Sequence, residues 1–455
     1  MPEQTTQNGA KPPETPEGIT KITVGGYKSI AQEQSIEIRP LTILAGANSS
    51  GKSSIMQPLL LLKQTLEASY DPGALLLDGP IVKFSSAEQL FSQSKESSDK
   101  NIVIRIKTFP GGVLSLHFHQ QRATGIAIYQ MDYSIGDRHF VLRSDMTGDE
   151  VRAALEHYYP TFSRPNDELR RRIEGARWVI IRDRCFLDFG TQHGASSSQL
   201  SRYSFMMRAF GASATAFVES NLRDILYLPG LRGNPERTYP VTAVGPTYPG
   251  NFNNYVASVL TEWKSNRNSS KLKQLNVDFK RLGLTSGVTA KSINDTQVEL
   301  RVGRTPSSHV RNLVSIADVG IGVSQTLPVL VALHTAKLGQ LVYIEQPEIH
   351  LHPRAQTAMA QVLADAAMRG VRVVAETHSS LLLLGIQTLV AEGKLPPELV
   401  KLHWFTRGDD GATTIRSADL DKGGAFGDWP EDFGDVTLDA QDRFLDAAER
   451  HLIGA

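Results

Sequence analysis

The sequence predicts an α/β fold: a parallel sheet with helices on its faces, split by an inserted region of antiparallel strands and helices. Three observations carry this expectation. Residues 340–417 alternate strand and helix segments, QLVYIE, PRAQTAMAQVLADAAMRG, VRVVAET, SLLLLGIQTLVAEG, LVKLHWF and TTIRS. That order implies parallel pairing, because parallel neighbours need a crossover, usually a helix. Far upstream, the apolar run LTILAG ends in a glycine and is followed from Gly51 by a helical segment, SSIMQPLLLLKQTLEA. Between the two halves lie NIVIRIKTF, GVLSLHFHQ, GIAIYQMDYSI and RHFVLRSD, short β-type runs parted by glycine-containing turns, which read as an antiparallel meander.

The elements follow in order. Residues 1–18, rich in Pro, Thr, Gln and Glu and without an apolar stretch, read as a disordered tail. Residues 19–100 hold two short strands, the glycine turn and its helix, in which Pro58 is either a kink or tolerated near the start. The meander occupies 101–147. Residues 148–310 read as a mostly helical insert, with 148–228 helical and 229–253 a long Pro/Gly loop. Helical sequence resumes to about Leu284, followed by a strand pair around TAKSINDTQVELRV. Residues 311–455 complete the parallel sheet and end in a helix, LDAQDRFLDAAERHLI.

Composition narrows the functional classes. The 48 Lys and Arg balance 48 Asp and Glu, which excludes a polybasic nucleic-acid coat protein, and 40% hydrophobic residues exclude disorder as the dominant state. A single cysteine, Cys185, excludes an intramolecular disulfide and a Cys-rich zinc site. No apolar run approaches the ~18–20 residues of a membrane helix, so the expected location is cytoplasmic.

The strongest chemical signal is GANSSGKSS, Gly46 to Ser54, which fits G-x-x-x-x-G-K-[ST] in the strand–turn–helix setting that a phosphate-binding P-loop requires. Backbone N–H groups would wrap a phosphate chain at the helix N-terminus, Lys52 would reach the β- and γ-phosphates, and the Ser53 hydroxyl would join Mg²⁺. Nearly three hundred residues later, LVYIEQPEIHLHP ends an apolar strand in Glu345, the position a Walker B magnesium site uses. VRVVAETHSS ends another strand at Thr377 and His378, where a histidine would sense a γ-phosphate. DVGIGVSQTLP, Asp318 to Pro328, is a glycine-rich turn entering a helix, the geometry of a second phosphate cradle.

This order resembles the ABC-type ATPase heads of RecF, Rad50 and SMC proteins, and most nearly the OLD-like stand-alone ATPases of bacteria. The likeness rests on GYKSI…LTILAGANSSGKSS and IEQPEIHLHP, with weaker support from LPGLRGNPERTYP and GDWPEDF, and covers about 19–65 and 225–435. It implies a P-loop NTPase of ABC-ATPase head type. Gly46, Asn48, Gly51, Lys52, Ser53 and Ser54 would surround ATP, and Glu345 would hold Mg²⁺ directly or through water. Gly322, Ser324 and Gln325 of one subunit would cap the nucleotide of another, making the active unit at least a dimer. His350 and His352 would lie in the loop crossing that interface; the alternative is a His-x-His metal pair.

One departure bears on turnover. Where many such heads have Asp-Glu, this chain has Glu345-Gln346, and an amide orients a water but is no general base. Glu348 is the candidate substitute, and the resemblance of IEQPE to natural members of the OLD-like group implies an active but slow ATPase rather than a nucleotide-gated clamp or scaffold with little turnover. Smaller signals stay open. Asp419 and Asp421 are a surface turn or a metal-binding Asp-x-Asp; Trp429 and Phe433 are packing residues or a base-stacking platform. Arg170, Arg171, Arg172 and Arg177 are a solvated face or a nucleic-acid or partner contact, and Arg232 and Arg237 either reach phosphates or a partner or pair structurally.

The resemblance implies an ATPase controlling a separate effector, a nuclease, in antiphage defence of the Septu or PARIS kind. The alternatives are a RecF-like clamp that binds DNA itself and a self-sufficient nuclease.

Overall fold

The computed structural model describes residues 16–93, 100–121, 125–158, 177–192, 200–202, 214–242, 245–265, 270–306, 313–427 and 443. The chain opens with β1 (Gly18–Gly25), β2 (Gln34–Glu37), β3 (Leu41–Gly46) and α1 (Lys52–Glu67). Pro58 lies inside α1 without ending it. The meander then forms as expected: β4 (Asn101–Phe109), β5 (Val113–Gln121), β6 (Gly125–Ile135) and β7 (Arg138–Arg143). With β1 and β2 it makes a six-stranded antiparallel sheet in the order β2-β1-β4-β5-β6-β7. In β4, Ile102, Ile104 and Ile106 are buried while Arg105 and Lys107 point to the wetter face, the alternation of a sheet with one packed face.

Residues 148–228 depart from the helical expectation. Helices α2 (Gly148–Tyr158) and α3 (Ala214–Arg223) are present, but β8 (Arg177–Asp183), β9 (Phe186–Gln192) and β10 (Leu200–Arg202) form a separate three-stranded sheet. The charged residues in RWVIIRDRCFLDF mask its β-branched and aromatic content, which favours strands. Arg184, at φ 54°, turns β8 back on β9. Arg177 opens β8, whereas Arg170, Arg171 and Arg172 lie outside the described residues, as do Trp429, Phe433 and most of the expected C-terminal helix.

After β11 (Leu226–Leu228), the long loop contains the short β12 (Tyr239–Pro240) and runs into a 3-10 turn at Phe252–Tyr255. Then come α4 (Val256–Ser265), α5 (Ser270–Arg281), the expected hairpin β13 (Val288–Ser292) and β14 (Gln297–Gly303), and β15 (Leu313–Ser315). The last part runs α6 (Ile321–Thr335), β16 (Leu341–Glu345), α7 (Pro353–Met368), β17 (Arg372–Thr377), α8 (Ser380–Ala391), β18 (Val400–Arg407) and β19 (Thr413–Ala418).

The central sheet has the order β11-β16-β17-β3-β18-β19, parallel throughout except for the β18/β19 pair. It is a wall between two cores. Ile43, Val342, Ile344, Val373 and Ala375 pack into one core with α4 to α8; Leu44, Tyr343 and Val374 pack into the other with α1 and the antiparallel sheet. Burial on both faces explains why these strands read as continuous apolar runs. The α/β P-loop fold expected from the sequence is therefore the observed one. Among the described residues no helix is long and apolar enough to cross a membrane.

Candidate functional site

The loop between β3 and α1 is shaped by backbone that few side chains accept. Gly46 has φ 146°, Ser49 61° and Gly51 98°. A Cβ on Gly46 would strike the Phe405 carbonyl, and one on Gly51 would strike the Thr413 hydroxyl, so the neighbouring strands require these glycines. Thr413 braces the loop by donating its hydroxyl to the Ser50 carbonyl at 2.8 Å. The Lys52 ammonium is buried and donates to the carbonyls of Gly46 (3.0 Å) and Ala47 (2.7 Å). Burial lowers its pKa, and the charge of Glu376 works in the opposite direction.

This loop borders a cleft of about 570 Å³ lined by Lys28, Ser53, Ser54, Glu376, His378 and Arg407, among others. Ser53 meets Glu376, a residue that motif reasoning missed: the hydroxyl is 3.0 Å from each carboxylate oxygen. The Tyr343 hydroxyl donates to Glu376 Oε2 at 2.9 Å. Burial, and then the charge of Glu345, push the Glu376 carboxyl above its ordinary pKa. The only signal available for Glu376 was an acid at the end of an apolar strand, one residue before Thr377.

Glu345 is register-paired with Glu376 on the adjacent parallel strand. Each of its oxygens already receives a donor, Oε1 from the Tyr227 hydroxyl at 2.9 Å and Oε2 from the Gly230 amide at 3.0 Å. The Tyr227 and Tyr343 rings that serve the two acids stack, with centroids 5.5 Å apart. The Ser53 hydroxyl beside a carboxylate is an oxygen donor set that suits a hard divalent cation such as Mg²⁺.

Glu348 is buried and accepts from the Thr377 hydroxyl at 2.7 Å and the His378 amide at 3.1 Å. Its other oxygen has no partner among the described residues, and burial raises its pKa. His378 lines the cleft and hydrogen-bonds the Gly46 carbonyl. Burial and the nearby Lys52 charge depress its pKa, which favours the neutral ring. Gln346 adopts φ 45°, and its backbone N–H donates to the Glu376 carbonyl at 2.7 Å. His350, at φ 63°, is exposed, and His352 caps α7 by accepting the Arg354 amide at 3.3 Å. Among the described residues no group of three or more His, Cys, Asp or Glu is arranged to hold a metal.

The glycine–serine turn at the start of α6 does not line the cleft of its own chain. A Cβ on Gly322 would press on the His350 carbonyl at 3.2 Å, so this turn lies against the His350 loop. Ser324 is partly exposed, with its hydroxyl donating to the Ile321 carbonyl at 2.9 Å. Gln325 is buried instead: its Oε1 accepts the Arg232 amide at 3.3 Å and its Nε2 donates to the Gly233 carbonyl at 2.6 Å. Arg232 completes the tie through Nη2, which donates to the carbonyls of Glu345 (2.6 Å) and Gln346 (3.2 Å). Burial is the main reason its pKa falls to about 10. Arg237 pairs with Asp318 at 2.9 Å. Of the two readings of these arginines, structural pairing is the one observed.

Asp419 lies in an ion cluster with Arg39 at 2.8 Å and Lys401 at 2.9 Å, and Asp421 closes a turn by accepting the Gly423 and Ala425 amides. Asp-x-Asp is thus a structural turn here. Asn48 is exposed on the P-loop, outside the cleft lining.

Residues 18–120 match the family described as AAA ATPase domain, and residues 256–384 match that described as AAA domain, putative AbiEii toxin, Type IV TA system. Both matched families are described as AAA domains, a likeness that supports ATP binding by the chain. No curated protein matches it. Similar solved structures include an SMC head bound to the C-winged helix domain of ScpA, at 14% identity over 89% of this chain and 98% of that one, with TM-score 0.47. An SMC head domain from Thermotoga maritima shows 11% identity over 89% and 100%, with TM-score 0.40. An Smc head with an extended coiled coil, bound to the C-terminal domain of ScpA derived from Pyrococcus furiosus, shows 11% over 89% and 96%, with TM-score 0.43.

Proposed function

We propose that the chain binds ATP with Mg²⁺ at the P-loop, hydrolyses it slowly, and uses the bound nucleotide to assemble with further copies and control a separate effector, a nuclease, in bacterial antiphage defence. The observation that carries the ATP reading is the convergence of Lys52, Ser53, Glu376 and His378 on one cleft at the C-terminal ends of β3 and β17. Backbone amides at the start of α1, which no side chain caps, and the Lys52 ammonium hold the phosphates, and Arg407 and Lys28 border the outer cleft. Ser53 and a carboxylate of the Glu345–Glu376 pair hold Mg²⁺, which when bound neutralises phosphate charge. In hydrolysis, water attacks the γ-phosphorus, the bond to the bridging oxygen breaks, and ADP, phosphate and a proton leave.

Glu348 serves this reaction as a positioning residue, because its bonds go to Thr377 and the backbone of His378. Gln346 orients rather than deprotonates the water, consistent with slow turnover. Ser324 and the exposed Ile321, at the free N-terminus of α6, are the groups offered to a partner's nucleotide, while Gln325 supports them from behind. The effector half of the reading rests on the resemblance of GANSSGKSS and IEQPEIHLHP to the OLD-like ATPases. A charge balance of zero favours a protein partner over DNA alone.

Light scattering and nucleotide titration of the purified chain test this reading. ATP should bind and raise the assembly mass, and Lys52→Ala should weaken the binding and lower the mass gained at the same ATP concentration. An encoded neighbouring nuclease should associate only in the ATP state. Salt-dependent binding of duplex DNA with no response to the nuclease would replace effector control by the clamp reading.

A further inference from the structure

We infer that Glu376, at the end of the strand next to the P-loop, is the carboxylate that holds the divalent cation with Ser53, and that Glu345 instead latches the 226–233 loop to the sheet. The inference rests on the ATP reading and assigns the carboxylate within that site.

Sheet order supplies the first argument. β17 lies between β3 and β16, so an acid ending β16 stands one strand farther from the P-loop, about 4.8 Å. Glu376 ends the nearer strand, beside β3, and its carboxylate touches the Ser53 hydroxyl through both oxygens. Of the two acids, it is Glu376 that lines the cleft with Lys52 and Ser53. Tyr343 orients it from below by donating to Oε2, which leaves Oε1 with Ser53 as its one hydrogen-bond partner among the described residues.

The second argument is what Glu345 already does. Its two oxygens receive the Tyr227 hydroxyl and the Gly230 amide, one at each end of the segment leading from β11 into the long loop. Its own carbonyl accepts Arg232 of the same loop. Three bonds from one residue therefore fix residues 227, 230 and 232. Turning Glu345 toward a cation would release Tyr227 and Gly230, whereas Glu376 already faces the place where Ser53 would meet one.

Mn²⁺ serves as the probe, with its free signal followed by electron paramagnetic resonance in the presence of ADP. Metal-free ADP binding and the melting temperature are measured on the same samples. Glu376→Gln should weaken Mn²⁺ in the ADP complex by roughly 10- to 100-fold, while metal-free ADP binding and melting stay at wild-type values. Glu345→Gln should leave Mn²⁺ affinity unchanged and increase proteolytic cutting within 229–242. Glu376→Asp, which keeps the charge on a shorter stem, should fall between wild type and Glu376→Gln. Unchanged Mn²⁺ affinity in Glu376→Gln, or an equal or larger loss in Glu345→Gln, overturns the assignment. Wild-type chain that binds no ADP with or without metal would instead defeat the ATP reading, so the two failures are distinct.

Discussion

Ser53 and Glu376 are 323 positions apart in the chain, yet the serine hydroxyl lies 3.0 Å from both oxygens of the glutamate. The contact ties the first turn of α1 to the end of β17, so the cleft is built from two distant pieces of sequence that the parallel pairing of β3 and β17 brings together.

Among the described residues Lys52 makes no direct ion pair; it is held by two loop carbonyls that an incoming phosphate can replace. Lys52→Ala should weaken ATP roughly 10- to 100-fold, the worth of a charged hydrogen bond of about 1.5–3 kcal/mol. Calorimetric titration checks this. Wild-type affinity in the variant would show that the loop is not a phosphate site.

Arg232 joins three segments by donating to the carbonyls of Gln325, Glu345 and Gln346. Arg232→Ala removes the donor from these partly buried acceptors and should cost about 1.5–3 kcal/mol, seen in urea unfolding. An ammonium cannot span the fork, so Arg232→Lys should recover only part of the loss. No change in either variant would mean that the tie does not hold the loop.

Gly385 lets α8 approach α7 closely: a Cβ there would lie 2.8 Å from Ala360 Cβ and 3.0 Å from the Thr357 carbonyl. Gly385→Ala should force the helices apart and lower stability by about 1–3 kcal/mol despite its better helix propensity. A raised melting temperature would contradict this packing.

His403, fully buried on β18, donates Nε2–H to the Glu37 carbonyl at 2.9 Å and accepts the Ser417 hydroxyl at Nδ1 at 2.8 Å. Burial lowers its pKa from 6.5 to about 4. Above pH 6.5 the ring is neutral in both states and its full contribution is present. As pH falls from 6.5 towards 4, the unfolded chain takes up the proton and the folded chain does not. Stability should therefore drop across that window, by on the order of 3 kcal/mol. Unfolding curves at several pH values should be flatter for His403→Gln than for wild type; parallel curves would refute the assignment.

Strong periodicity made most of the fold legible. The β-α alternation of 340–417 and the four runs of 101–143 each announce their partners, because burial on two faces or on one leaves a different pattern. The β8/β9 hairpin was hidden because its charged residues outweighed its apolar ones in a linear reading. In the site, the P-loop was legible because phosphate binding constrains consecutive residues. Glu376 was not, since its importance comes from the strand it sits beside, and pairing across 323 positions leaves no local trace. Gln325 shows the reverse: its motif position suggested an exposed nucleotide contact, but packing with Arg232 turned it inward.

The position of β3 in the sheet has a consequence for how the protein is made. Both of its neighbours, β17 and β18, come from residues 372–407. A ribosome that has just released the P-loop has therefore released a strand with no partners, and more than three hundred further residues must be synthesised before either arrives. The nascent N-terminal half can close its antiparallel sheet early, but the nucleotide cleft is among the last parts to form. Contacts of such long sequence separation fold slowly, and until they close, β3 is an apolar strand with two open edges. A chain cut short before β17 and β18 would thus carry the motif without the cleft.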